Sequence, residues 1–295
     1  MDGSARFDTW LLGRAQDGGV PHLGCVRECC RVARREGRVE YPCSLGVRDR
    51  LTGALLLIEA TPAVESQVAM LHTLAEVDPR DRVPVDGVLL THAHIGHYAG
   101  LMQFGKEVAA TDELPIFCTP KMADFIRAHA PWSGLVTGGH VDLQEIVMGT
   151  DGAAVFEPVE GLRVEAIQVP HRDEYSDTVA FRLHGPAKTL LWVPDIDQWS
   201  RNEGMIERLL DGVDVAYVDG TFYDEQEVGR CADEIPHPFM RDTLTTLGDL
   251  AKAHPGRIQF IHLNHTNPAL SDLKLVAEIG ERGFDVPEQG RWVGL

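Results

Sequence analysis

Residues 89–101 read LLTHAHIGHYAGL, and three histidines, His92, His94 and His97, fall within six positions of it. The residues before them, VDGVLL, are apolar and β-branched enough to predict a buried strand. The histidines therefore lie at the strand's C-terminal end, where rigid scaffolds commonly display reactive groups. In an extended segment His92 and His94 point the same way, because side chains alternate along a strand. His97 falls where the chain turns toward the helical pattern of YAGLMQFGKEV. Three imidazoles converging at one strand end form a donor set for zinc or a similar first-row metal. A lone histidine would read as a core or surface residue.

The chain has 295 residues, 44% of them apolar, which is enough for a full core. No apolar run approaches the ~20 residues of a membrane span. The start, MDGSARFDTW, lacks the zones of an export signal, so a cytoplasmic protein without a membrane partner is expected. Net charge is −18, and the only basic cluster, RVARREGR at 31–38, reads as a solvated helix face. Nucleic-acid binders cluster Lys and Arg to displace counterions, so a small-molecule substrate is expected rather than a nucleic acid. A homodimer is left open.

Further strands are expected in FDTWLLG, GALLLIEA, LPIFCTP, LRVEAIQVP, TVAFRLHG, TLLWVPD, DVAYVDG and RIQFIHLNH. Helices are expected in PAVESQVAMLHTLAEV, with Thr61 as N-cap and Pro62 at the first helical position, and in PKMADFIRAHA, EGMIERLLDG, MRDTLTTLGDLAKAH and PALSDLKLVAEIGERG. No Gly-, Pro- or Ser-rich linker divides the chain. One α/β domain over 1–295 is expected, with an N-terminal cysteine loop.

THAHIGH resembles the signature loop of the metallo-β-lactamase superfamily, H-x-H-x-D-H. The later elements of that family follow in order: His171 ends VEAIQVPH, Asp195 follows TLLWVP, and His262 ends IQFIH. The resemblance implies a four-layered αββα sandwich with the site at one edge. It implies that His92, His94 and His171 hold a first metal, that Asp195 bridges to a second, and that His97 and His262 help bind that one. Taken alone, Asp195 reads as a cap or turn residue and His171 equally as a surface histidine. Gly96 departs from the family, which keeps an aspartate there as ligand and base. The second metal position is therefore expected to be weakened, with Asp195, Asp197 or Asp173 as alternatives for the base.

Of the six cysteines, Cys25, Cys29 and Cys30 crowd into GCVRECC, which in a reducing compartment points to metal binding. GRAQDGGVPHLGCVRECC, EATP, VDGTFYDEQE, IPHPF and HLNHTNP together resemble the pyrroloquinoline quinone biosynthesis protein B family. They are also similar to cyclic phosphodiesterases of the carbon–phosphorus lyase pathway and, more distantly, to tRNA 3′-processing endonucleases. Several of these relatives carry a structural zinc on cysteines spaced C-x-C-x2-C and a late histidine. Here the outer spacing is kept and the middle cysteine has moved; His265 would be the late histidine. One of the adjacent Cys29 and Cys30 could be a spectator. Cys43, Cys118 and Cys231 read as small buried hydrophobes.

His237, between two prolines in EIPHPF, is either a rigid loop residue or, by the phosphodiesterase resemblance, a catalytic acid or oxyanion contact. Asp219 would orient it, line the pocket, or simply form a turn. His22 reads as a loop residue; Trp132, Tyr175, Trp199, Phe222 and Tyr223 are candidate pocket walls whose default is packing. The leading expectation is a metal-dependent hydrolase of a small phosphodiester or cyclic phosphate, with a metal-bound hydroxide as nucleophile, His237 as acid and Asp195 and Asp219 beside it. The alternatives are an iron-dependent, oxygenase-like enzyme of quinone cofactor biosynthesis, and a non-catalytic metal-binding scaffold. Zinc is expected in the cysteine group and in the active site, where iron or manganese are alternatives.

Overall fold

The computed structural model describes residues 5–202, 204–229 and 235–295. Strands β1 (Phe7–Gly13), β2 (Ser44–Asp49), β3 (Leu55–Ile58), β4 (Gly87–Leu89), β5 (Leu114–Cys118) and β6 (Val141–Glu145) form a first sheet. Strands β7 (Ala153–Phe156), β8 (Arg163–Val169), β9 (Thr178–His184), β10 (Thr189–Val193), β11 (Val215–Asp219), β12 (Ile258–Ile261) and β13 (Phe284–Asp285) form a second. The last strand, β14 (Trp292–Gly294), returns to the first sheet and pairs antiparallel with β1.

The helices are α1 (Glu28–Glu36), α2 (Val64–Ala75), α3 (Ile95–Tyr98), α4 (Pro120–Ala128), α5 (Ser133–Thr137), α6 (Met205–Leu210), α7 (Glu225–Val228), α8 (Met240–Thr246), α9 (Gly248–Ala253) and α10 (Leu273–Glu281).

Strand alternation sorts the core into three layers. In β3, Leu56 and Ile58 face the space between the sheets, while Leu55 and Leu57 face α2 and α4. In β10, Leu190 and Trp192 face inward, and Leu191 and Val193 face α6, α8 and α10. Strands covered on both faces read as continuous apolar runs, as LLLI and TLLWV do. The four layers are helix, sheet, sheet and helix, the αββα sandwich of the metallo-β-lactamase fold.

Several local expectations are corrected. Helix α2 begins two residues later than expected: its N-cap is Ala63, and the Thr61 hydroxyl instead accepts from the Ala63 N–H in a turn. MRDTLTTLGDLAKAH is two helices, α8 and α9, broken at Leu247. YAGLMQFGKEV is a 3₁₀ stretch over Ala99–Phe104 rather than an α-helix. Strands β2, β6, β7, β13 and β14 escaped the reading, since each is short or poor in contiguous apolar residues.

Cys43 and Cys118 are buried, and burial pushes both thiols well up; Cys231 lies outside the described residues. Among the described residues no helix is long and apolar enough to cross a membrane.

Candidate metal centre

Each side chain of interest follows the end of a strand. His92 and His94 lie beyond β4 in extended backbone, and His94 is the N-cap of α3. His97 comes one short helical turn later, its N–H donating to the His94 carbonyl at 2.9 Å. This extended-then-helical path turns all three rings to one side. His171 follows β8, Asp195 follows β10 and His262 follows β12.

Asp195 is central and buried. Its Oδ2 lies 3.3 Å from His92 Nε2, 3.4 Å from His97 Nε2 and 3.6 Å from His262 Nε2, and its Oδ1 lies 3.2 Å from His171 Nε2. The ligand atoms of His92, His94, His171 and Asp195 form one compact group, and those of Asp17, His97 and His262 form a second. The two groups are joined by Asp195.

The hydrogen bonds behind the rings set their tautomers. The Thr91 hydroxyl donates to Glu59 Oε1 at 2.7 Å, so toward His92 Nδ1, 2.9 Å away, it can only accept. The Thr221 hydroxyl donates to Asp219 Oδ1 at 2.7 Å and accepts from His262 Nδ1 at 2.9 Å. Both rings therefore carry the proton on Nδ1 and offer the Nε2 lone pair to the site. His97 Nδ1 faces Glu59 at 3.5 Å and His171 Nδ1 faces Asp197 at 3.4 Å, again leaving Nε2 inward. His94 is reversed: Nε2 faces Glu174 at 3.3 Å and Nδ1 meets His92 Nε2 at 2.8 Å.

Two lone pairs then confront each other with no proton between them, an arrangement that a shared cation resolves. His97, His171 and His262 Nε2, Asp195 Oδ1 and Asp17 Oδ1 are buried without a hydrogen-bond partner. Nitrogen and carboxylate donors in this pattern fit a divalent metal. Burial and the neighbouring His97 keep His92 well below the usual imidazole range, the neutral state a ligand requires.

His262 itself has φ +61°, so extended strand backbone does not continue toward His265. Left-handed backbone is uncommon outside glycine, with histidine among the residues that adopt it more often. Here it is held by the His262 N–H donating to Cys43 Sγ (3.1 Å) and by Leu263 bonding to both Arg14 and Gln16.

His237 is part of the cluster rather than a residue of its rim. Its Nδ1 lies 2.8 Å from Asp219 Oδ2 and 3.1 Å from Asp195 Oδ1. Burial pulls its imidazolium down, but those two carboxylates outweigh it and push the group up to about 9. Asp219 is fully buried, accepting also from the N–H groups of Thr221 and Ile196, so it both closes a turn and orients His237.

The expectation for Gly96 is corrected in one respect: a carboxylate does stand beside His97 and His262. It comes from Asp17, in the QDGG turn after β1. Burial raises the Asp17 carboxyl, but contacts with His262 and His97 hold it well below the usual range. Of the residues offered for the base role, Asp195 lies at the centre of the cluster and the other two are placed away from it. Asp197 backs His171, and Asp173 turns to solvent beside Lys121. Asp17 and Glu59 were both missed; the available signal was an acid just after a strand end, in QDGG and in EATP.

The Cys25, Cys29 and Cys30 sulfurs form a third group, both adjacent cysteines included, with Cys29 and Cys30 in the first turn of α1. The structure does not gather His265 into it. The His265 ring stacks on His22 at 4.4 Å, and the His22 N–H donates to Cys30 Sγ at 3.2 Å. Of the candidate pocket walls, Trp199 is buried and donates to Thr243, Phe222 meets His237 edge-on, and Tyr175 is exposed beside Phe125.

Fold and site together define a metallo-β-lactamase superfamily protein: residues 55–263, more than two thirds of the chain, match the beta-lactamase superfamily domain, and the chain belongs to that family. Within it, the chain resembles coenzyme PQQ synthesis protein B. It is 27% identical over 281 residues to that protein of Methylobacterium sp. (strain 4-46), covering 88% of this chain and 90% of the relative. The crystal structure of zinc-bound PqqB from Methylobacterium extorquens superposes with a TM-score of 0.81 at 23% identity, covering 98% of this chain and all of the other. A diphosphatase from the PhnP family superposes with a TM-score of 0.67 at 16% identity, covering 98% and 97%.

Proposed function

We propose that this protein is a metal-dependent hydrolase of a small phosphodiester or cyclic phosphate. The observation that carries the reading is the pair of donor groups joined by Asp195, with the inward nitrogens of His97, His171 and His262 buried and unpartnered. His92, His94 and His171 would hold a first ion, His97 and His262 would help hold a second, and Asp195 would stand between them. Bound there, such ions polarise the scissile group and acidify a coordinated water toward a pKa of ~7.

The chain's own residues supply the rest. Asp219 holds His237 by Nδ1, leaving Nε2 to give a proton to the leaving oxygen. Arg172, half exposed with Nη2 3.4 Å from His94 Nδ1, offers a guanidinium to an anionic group at the rim. Charge of −18 disfavours a polyanionic substrate, and a compact ester fits better. The cysteine group is read as a structural zinc site in a cytoplasmic protein, with His265 and the His22 ring stacked on it as the candidates for its fourth ligand.

A second reading is favoured by the likeness to PQQ synthesis protein B along nearly the whole chain: an iron-dependent, oxygen-using step in quinone cofactor synthesis. Protein loaded separately with zinc, manganese or iron distinguishes the two. Hydrolysis of an aryl or cyclic phosphodiester, with kcat falling about 10²–10⁴-fold in His237→Ala, supports the first. No hydrolysis by any loaded form, with dioxygen uptake on a tyrosine-derived substrate by the iron form, replaces it with the second.

A further inference from the structure

Gly96 occupies the position at which the resembling signature keeps an aspartate, and the structure shows why a side chain is absent there. A Cβ on residue 96 would lie 2.1 Å from Asp17 Oδ1 and 2.6 Å from Asp17 Cα and Cγ. These separations are far inside van der Waals contact, and one of the colliding atoms is backbone. The volume that a residue-96 side chain would enter is already filled by the Asp17 carboxylate.

Asp17 is delivered there by a fastened turn. The Gly19 N–H donates to the Gln16 carbonyl at 2.8 Å, and Gly19 adopts φ +61°, which glycine takes without strain. Before the turn, the Gln16 N–H donates to the Leu263 carbonyl at 2.9 Å, tying it to the residue after His262. After it, Val20 and Glu40 exchange two backbone bonds of 2.8 Å. Held in this way, Asp17 Oδ1 lies 3.4 Å from His97 Nε2 and 3.6 Å from His262 Nε2, buried and without a hydrogen-bond partner.

We propose that Asp17 is the carboxylate ligand of the second metal position, relocated from residue 96 to the loop after β1, and that Gly96 is glycine because Asp17 needs its space. The proposal rests on the reading of the histidine cluster as a metal centre and is independent of the reaction catalysed there. The second position is then complete, with two imidazoles, Asp17 and a share of Asp195.

The test is metal uptake by metal-stripped full-length protein titrated with Co²⁺, with bound equivalents counted by elemental analysis and affinities taken by chelator competition. Wild type should take up about two equivalents beyond the cysteine group. Asp17→Asn keeps the shape and should weaken the second equivalent by about 100-fold or more, the upper end of what even indirect partners of a metal ligand cost, while retaining the first.

Gly96→Asp alone should also lose second-position affinity and melt at a lower temperature, because the two side chains collide. Asp17→Ala combined with Gly96→Asp should recover that affinity. The proposal is overturned if Asp17→Asn binds both equivalents as wild type does, or if the double variant is no better than Gly96→Asp alone. Wild type that takes up no metal at the histidines overturns the metal-centre reading as well, which separates the two failures.

Discussion

Thr221 shows how much one hydroxyl can organise. It donates to Asp219, accepts from His262 Nδ1, and lies 3.2 Å from His237 Nδ1. Thr91 plays the matching part for His92 in the other half of the molecule, with Glu59 as acceptor. A ligand ring is useful only if the correct nitrogen carries its lone pair, and these hydroxyls choose it. Thr221→Val, similar in shape, should lower metal affinity or kcat/KM by about 10–100-fold. The melting temperature of the metal-free form should move little. Unchanged metal affinity would show that the hydroxyl only fills space.

The two loop segments 14–30 and 262–267 make a single unit. Ala15, Gln16 and Leu263 are bridged by backbone bonds, and the His22 ring lies on His265. One unit thus presents Asp17 and His262 to the active site while its far end carries the cysteines. A closed cysteine site contributes folding free energy directly, whereas an open active-site metal need not. Cys25→Ala should therefore release one tightly held zinc and lower the melting temperature markedly. His265→Ala should do the same if it is the fourth ligand. Retained zinc and stability in His265→Ala would leave His22, on the opposite side of the stack, as the better candidate. His262→Ala should mainly cost second-position metal.

The whole molecule separates stability from chemistry. His92, His94 and His97 come from the first half of the chain, and His171, Asp195 and His262 from the second, so the centre lies across both sheets at one edge. The core lies in three apolar layers elsewhere. His94→Ala should accordingly lose the first-position metal, measured by elemental analysis, yet remain folded by circular dichroism. Unchanged metal content would remove His94 from the ligand set. Trp192, fully buried between the sheets, is the converse case. Trp192→Ala should cost about 3–5 kcal/mol. That corresponds to a fall in melting temperature on the order of 10 °C, with metal stoichiometry unchanged in the folded fraction. A shift of a degree or two would show that the inter-sheet layer repacks.

Pattern in the chain alone was enough for the strands with long apolar runs, for a mixed α/β chain, and for the grouping of His92, His94 and His97 at one strand end. The αββα class and the parts of His171, Asp195 and His262 were what the family resemblance implied. Buried strands and clustered imidazoles leave local signatures, and their order along the chain is itself distinctive. The break at Leu247 and the start of α2 at Val64 rather than after Thr61 were not legible, because local sequence offers a plausible helix through both and only packing chooses the cap. Asp17 was illegible for a deeper reason. Two glycines and a proline in QDGGVPH mark a tight loop at the site edge, but His97 and His262 are distant in sequence, and nothing there announces that Asp17 itself lies over Gly96. The glycine at 96 reads locally as a lost ligand; only tertiary structure shows a carboxylate in the same space, because two side chains cannot share one volume and either position can fill it.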